Sequence, residues 1–207
     1  MNPDDFRSHL LTPSDHEAAT DLSRLTGTAT HEALVVLGSG LAQVADALGS
    51  TTAVLPLSTL PGVLAPTADG HLDELRSVVV ESSGRQRRVL VALGRTHLYE
   101  EVGRPAVTAL VRVAAAAGAG TLILTNANGC LQPWALGNVI AITDHLNLTG
   151  SSPFDGGVFL DPRGVWDARL ARATGVVCEH SGTYAALRGP EYQTVAESRD
   201  LAARGAD

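Results

Sequence analysis

The chain has 207 residues, 44 % of them hydrophobic but only 4 % aromatic, with 22 acidic against 15 basic side chains and a formal net charge of −7. That length suits one domain whose core is built from Ala, Val and Leu, as in buried strands covered by small-faced helices. The charge excludes broad electrostatic binding to nucleic acid or an acidic membrane, while leaving room for a small cationic pocket. In chain order, MNPDDFRSHLL carries acidic residues and no long apolar run, unlike a secretory signal, and no later stretch is apolar for long enough to span a membrane. Residues 14–25 predict a helix, with Ser14 as N-cap and Glu17 completing a capping box. Ala33 to Leu37 reads as a strand, Gly38-Ser39-Gly40 as a turn, and Leu41 to Leu48 as a helix with Leu41, Val44, Ala45 and Leu48 on one face. Residues 53–70 are rich in Pro and Gly and read as loop. LRSVVVE and RRVLVALG, on either side of Ser82-Ser83-Gly84, read as a hairpin. RPAVTALVRVAAAAGAG predicts a helix begun by Pro105, with a stripe of Val107, Leu110, Val111 and Ala114. Leu122 to Leu124 and Val139 to Ile142 read as buried strands, and 149–165 as a mobile loop. A helix around Trp166 to Ala173, a strand TYAALRG and a closing helix TVAESRDLAARGA complete the chain. The pattern gives a mixed α/β sheet, 1–207 reading as a single domain without repeat or linker.

Chemistry on such a sheet comes from its loops. LGSGLAQ, between a strand and a helix, is a phosphate-binding type of turn: glycines admit close approach, Ser39 offers a hydroxyl and the helix start offers free amides. Alone, GSG favours a plain turn, and no third Gly completes a dinucleotide fingerprint. GRTHLYEEVGRP is denser. Arg95 is a planar cation suited to phosphate, His97 can donate or carry charge, and Tyr99 joins a ring to a hydroxyl. Alternation places the three on one side of an extended chain. The competing reading is an exposed polar loop in which Glu100 and Glu101 pair Arg95 or Arg104. His71 alone reads as a surface or satisfied histidine, and His145 as a histidine bonded to a neighbour. After the first of the two buried strands the chain turns through Asn126, Ala127, Asn128 and Gly129; the asparagines tolerate, and the glycine favours, left-handed backbone. Cys130 and Cys178 are too few for a disulfide framework and lack ligand spacing, so a cytoplasmic location and no metal are expected.

The ordered blocks VVLGSGL, GHLDELR, GRTHLYE, TNANGCLQPWALGNVIAITDHLNLTG and GTYAALRGPEYQTVAESR resemble the trimeric purine nucleoside phosphorylases, from Ala33 to Asp207. The resemblance implies a mixed sheet, partly closed into a barrel and surrounded by helices. It implies cleavage of purine nucleosides by inorganic phosphate, a co-substrate, to free base and ribose 1-phosphate, with no cofactor, and a homotrimer. Carried over residue by residue, it assigns phosphate to Ser39, Arg95, His97 and the backbone of Ala127, with His71 beside them and His71 and His97 as the catalytic pair. It assigns ribose to Tyr99, the sugar and base to Tyr192, the purine edge to Gln193, and the nucleoside-facing turn to Asn126 and Asn128. Relatives specific for 6-oxopurines carry Glu where Gln193 stands; an amide both donates and accepts, so it can also pair with adenine. Asn128 and Cys130 replace the small residues usual in the turn, and the 160s region is short. The family continues beyond the point matching Asp207, with a further phosphate-binding Ser, a base-binding Asn and a closing helix. The expectation is therefore a single domain lacking the family's C-terminal portion and impaired in activity. The alternatives are a non-catalytic chain that binds nucleoside or phosphate or pairs with intact subunits, and a generic nucleotide-binding module.

Overall fold

The computed structural model describes residues 10–154, 159 and 161–207, in two compact units that divide between Ala127 and Asn128. The readings made for 1–9, and for 155–158 and 160 within the expected loop, lie outside the described residues. The first unit runs α1 (Pro13–Thr26), β1 (Ala33–Val36), β2 (Ser50–Leu55), β3 (Leu75–Ser82), β4 (Arg85–Ala92), α2 (Gly103–Ala116) and β5 (Thr121–Leu124). Its sheet has the order β2-β3-β4-β1-β5. Strands β4, β1 and β5 are parallel, with Val36 opposite Ala92 and Leu124. The β2-β3-β4 part is antiparallel. The second unit contains β6 (Ile140–Asn147), α3 (Ala168–Thr174), β7 (His180–Ala186) and α4 (Val195–Ala203), with β6 and β7 parallel. The mixed α/β class is as expected; among the described residues the sheets are open, and no closed barrel forms.

Alternation along β1 and β4 gives the first sheet two apolar faces. Leu34, Val36, Leu90 and Ala92 join Leu22 of α1 and Leu110 and Val113 of α2 in the main core. Val91 and Leu93 turn the other way, onto Leu37, Ala45 and Val78. A sheet covered on both faces needs the continuous apolar runs that VVL and VLVAL provide.

The local differences have physical causes. Helix α1 is capped two residues earlier than Ser14: Thr12 accepts from the Asp15 amide, and the Asp15 carboxylate accepts from the Thr12 amide. Pro13, pre-set for helix and lacking an amide, takes the first helical position. Asp15 also accepts from Nε of Arg112 at 3.1 Å, tying α1 to α2. Residues Ala42–Ala47 form a 3-10 turn, not an α-helix. Its period of three puts Ala42, Ala45 and Leu48 on the sheet and turns Val44 outward. The stripe of α2 is rotated from the expected one, burying Ala109 and Val113 while Val111 is exposed. Strand β2 runs into the stretch expected as loop, at residues 53–55, because its Thr-rich, largely exposed sequence lacks an apolar face. Strand β5 is not buried: among the described residues it pairs with β1 alone, and Leu124 is 54 % exposed.

One histidine is buried inside the first unit, in the connection between α1 and β1. His31 is 1 % exposed, its Nε2 lies 3.0 Å from the Ser77 hydroxyl, and its Nδ1 has no partner. Burial, helped by the Arg88 charge, lowers its pKa from 6.5 to about 4. The folded chain therefore binds this proton less readily than the unfolded chain, and acid favours unfolding. Relative to His31→Gln, wild type should lose about 3 kcal/mol of stability as pH falls from 6.5 to 4. Urea unfolding of both proteins across that window checks this; a pH-independent difference would show that His31 titrates normally.

Candidate functional site

Three parallel strands end side by side at one edge of the first sheet, and the loops leaving them carry the chemistry, as the carboxyl ends of parallel strands commonly do. Ser39 follows β1, residues 94–100 follow β4, and Thr125 to Ala127 follow β5. Because β3 runs antiparallel to β4, the segment entering β3 arrives at the same edge and brings His71 with it. Leu72 N–H donates to Leu93 O at 3.1 Å, fixing that approach.

Thr125 closes β1 against β5. Its amide and its hydroxyl both donate to Val36 O, at 3.0 and 3.1 Å, and the hydroxyl accepts from the Gly38 amide at 2.9 Å. The backbones are so close that a Cβ on Gly38 would stand 2.5 Å from Thr125 O. This side-chain tie turns the chain out of β5 without the left-handed backbone expected at Asn126, Asn128 and Gly129; the left-handed non-glycine residues are Ser83 and Glu101 among the described residues.

Across the edge, Arg95 Nη1 donates to Thr125 O at 2.9 Å, and its backbone amide donates to His71 Nδ1 at 3.2 Å. An amide can only donate, so His71 Nδ1 is the acceptor, and a neutral His71 carries its proton on Nε2. Nε2–H then donates to Ser39 Oγ, 3.1 Å away, leaving the serine its own hydrogen to give. Burial first, then the Arg95 and His97 charges, hold His71 below the ordinary histidine range, with Glu100 opposing them. The His97 ring meets His71 edge-on at 4.8 Å and stacks on Tyr99 at 4.8 Å. Ser39, His71, Arg95, His97 and Tyr99 are thus brought together, with Asn126 and Ala127 on the neighbouring loop. A guanidinium and a donating hydroxyl at one strand edge, with two imidazoles beside them, form a cradle for a compact oxyanion.

Sequence reasoning missed three members. Glu100 is not the surface partner of Arg95 or Arg104; it ends a His-x-x-Glu capping box, accepting from the amide of His97 at 2.6 Å and from its Nδ1 at 2.9 Å. Thr67, in a loop with no recognisable motif, donates to the other Glu100 oxygen through its amide and hydroxyl. Burial resists ionisation of Glu100, but the bonds from Thr67 and His97 outweigh it and lower its pKa to about 2. Thr125 is the third, signalled only by a Thr just past an apolar strand.

Asn128, Tyr192 and Gln193 lie in the second unit. Tyr192 is 95 % exposed, and Gln193 donates to Glu191 O at 3.4 Å in the loop before α4, which Thr194 and Glu197 cap reciprocally. In the same unit His145 accepts from Trp166 Nε1 at 3.0 Å, the structural bond expected of it. Among the described residues no His, Cys, Asp or Glu cluster could hold a metal ion, and no helix is long and apolar enough to cross a membrane.

Residues 32–207 match the family described as the phosphorylase superfamily. The chain is similar to the purine nucleoside phosphorylase of Cellulomonas sp, 43 % identical over 194 residues that cover 92 % of this chain and 69 % of the relative. It is 45 % identical to that of Mycobacterium tuberculosis, over 92 % of this chain and 70 % of the relative. With the purine nucleoside phosphorylase of Mus musculus the identity is 31 %, over 84 % of this chain and 65 % of the relative. Such identity over nearly the whole chain, with the strand-edge cluster inside the matched span, places it in the phosphorylase superfamily and, within that, among the purine nucleoside phosphorylases.

Proposed function

We propose that the chain catalyses phosphorolysis of purine nucleosides, converting nucleoside and inorganic phosphate to free purine and ribose 1-phosphate. The observation that carries this reading is the convergence of Ser39, His71, Arg95 and His97 at one strand edge, in a chain so similar to enzymes of that name. Arg95, His97, the Ser39 hydroxyl and the Ala127 amide hold phosphate. His71 fixes the serine's orientation through Nε2. Tyr99, stacked on His97, contacts the ribose, Asn126 and Asn128 border the nucleoside, Tyr192 covers sugar and base, and Gln193 meets the purine edge.

The reaction breaks the C–N glycosidic bond with its electron pair leaving on the purine, while a phosphate oxygen bonds the anomeric carbon. The sugar passes through a cationic, oxocarbenium-like state. An anion held against that carbon stabilises the developing charge and attacks without further reorganisation. No metal or organic cofactor enters this reading. The assembly that accompanies it is a cytoplasmic homotrimer.

The test is base release from inosine and from adenosine, with and without phosphate, by the 207-residue protein. Release should require phosphate. Gln193→Glu should raise the preference for inosine over adenosine about 5- to 150-fold, since a mismatched buried acceptor costs roughly 1–3 kcal/mol. An unchanged ratio of kcat/KM values would show that this side chain does not read the base.

A further inference from the structure

In the second unit one carboxylate joins segments far apart in the chain. Helix α4 ends in a turn in which Gly205 has a φ of +87° and the Ala206 amide donates back to Leu201 O at 3.1 Å. Leu201 and Ala206 are buried, so the turn is packed and brings Asp207 to a defined place. There its amide donates to Thr183 O of β7 at 3.1 Å, and its carbonyl oxygen accepts from the Leu131 amide at 2.7 Å. The side chain repeats the bridge. Oδ2 accepts from the Thr183 amide at 2.9 Å, and Oδ1 accepts from Gln132 Nε2 at 2.8 Å. A carboxylate suits this position, because an amide N–H and an amide NH2 can only donate. Gly182 makes room for it: a Cβ there would stand 2.8 Å from the Asp207 Cβ and 2.9 Å from Oδ2.

We propose that Asp207 is a positioning residue for the nucleoside, holding the turn that begins at Asn128 against β7. The inference rests on the reading that Asn128, Tyr192 and Gln193 face the nucleoside. From 128 to 139 the chain runs without helix or strand, so cross-links set its shape. Towards β6, Val139 N–H donates to the Glu179 carboxylate at 2.7 Å, and Trp134 stacks on His180 with ring centroids 4.4 Å apart. Towards Asn128, the cross-links are the bonds from Leu131 and Gln132 to Asp207. The strand that Asp207 grips, β7, leads out to Tyr192 and Gln193, and α4, which delivers Asp207, follows them directly. One carboxylate therefore ties together both stretches that carry nucleoside-facing residues, where a misplacement of about 1 Å is costly. These bonds lie within the second unit, whereas Ser39, His71, Arg95 and His97 lie in the first, so Asp207 serves the nucleoside and not phosphate.

Steady-state phosphorolysis of inosine by the full 207-residue chain, with calorimetric titration by inorganic phosphate, tests this. Asp207→Asn keeps the shape but sets an NH2 group against one of the two donors. It should raise the KM for inosine about tenfold, with kcat and phosphate affinity within about twofold of wild type. Gly182→Ala, which displaces the carboxylate without changing it, should raise the same KM. Gln132→Met removes one donor and leaves the Thr183 bonds in place. It should raise the KM by about threefold, and it keeps the test decisive if the other two variants do not fold. An unchanged inosine KM in folded Asp207→Asn or Gln132→Met would overturn the inference. So would an equal loss of phosphate affinity, the mark of a purely structural role. Either result leaves phosphorolysis by wild type standing. A wild type that releases no base with phosphate would overturn the reading of the function, and the inference with it.

Discussion

Arg95→Ala weakens phosphate binding roughly 10- to 150-fold, the equivalent of about 1.5–3 kcal/mol for loss of a charge-assisted hydrogen bond. The residue joins both sides of the strand edge. Its guanidinium bonds Thr125 O, and its backbone amide bonds the nitrogen that fixes the His71 proton. The substitution removes the cation and the Thr125 contact but keeps the amide, so the Ser39–His71 arrangement survives and the loss is electrostatic. Arg95→Lys should recover only part of the affinity, because a point charge cannot reproduce a planar fork. Calorimetry on the three proteins measures this, and equal affinity in all of them would remove Arg95 from the anion site.

Gly38→Ala carries the second large effect, and it acts through shape. A Cβ at this buried position would stand 2.5 Å from Thr125 O and 2.9 Å from Asn126 Cα. Both are backbone atoms, and neither can swing aside as the end of a long side chain could. The β1 exit must part from the β5 exit, breaking the 2.9 Å bond from the Gly38 amide to the Thr125 hydroxyl. Overpacking of this kind costs about 1–3 kcal/mol. Because the displaced loops carry Ser39 and Ala127, phosphate affinity should fall with stability. Gly40→Ala is the control: nothing lies within 4 Å of its Cβ, and only its φ of +79° is strained. Denaturant unfolding and phosphate titration of both variants distinguish them; wild-type values for Gly38→Ala would mean that the close approach has no structural role.

Much of the site was legible because its residues are of chemically marked types at strand ends. GSG after VVL, and Arg95, His97 and Tyr99 after VLVAL, could be placed from apolar runs and turn residues alone. Their convergence could not, since it depends on the order β4-β1-β5 and on the antiparallel entry of β3 that carries His71. Resemblance to a family supplied His71 where the residue alone read as an ordinary histidine. Thr67, Glu100 and Thr125 escaped for a different reason. Each acts through hydrogen bonds to another residue of the chain, and Thr67 is 33 positions from its partner Glu100. In the fold, the hairpin was legible from Ser83-Gly84, whose left-handed φ values of 51° and 72° suit a two-residue turn. The exposure of β5 was not, because an apolar run states what a strand can bury and not what lies beside it.

The measurement closest to the central claim is phosphorus NMR of the 207-residue protein incubated with inosine and inorganic phosphate. The account predicts that the inorganic phosphate signal declines as a sugar 1-phosphate ester appears in equal amount, matched by free hypoxanthine. Hypoxanthine formed with no loss of phosphate would make the chain a hydrolase, and phosphate that binds without ever being consumed would make it a non-catalytic binding protein; either result would contradict the account.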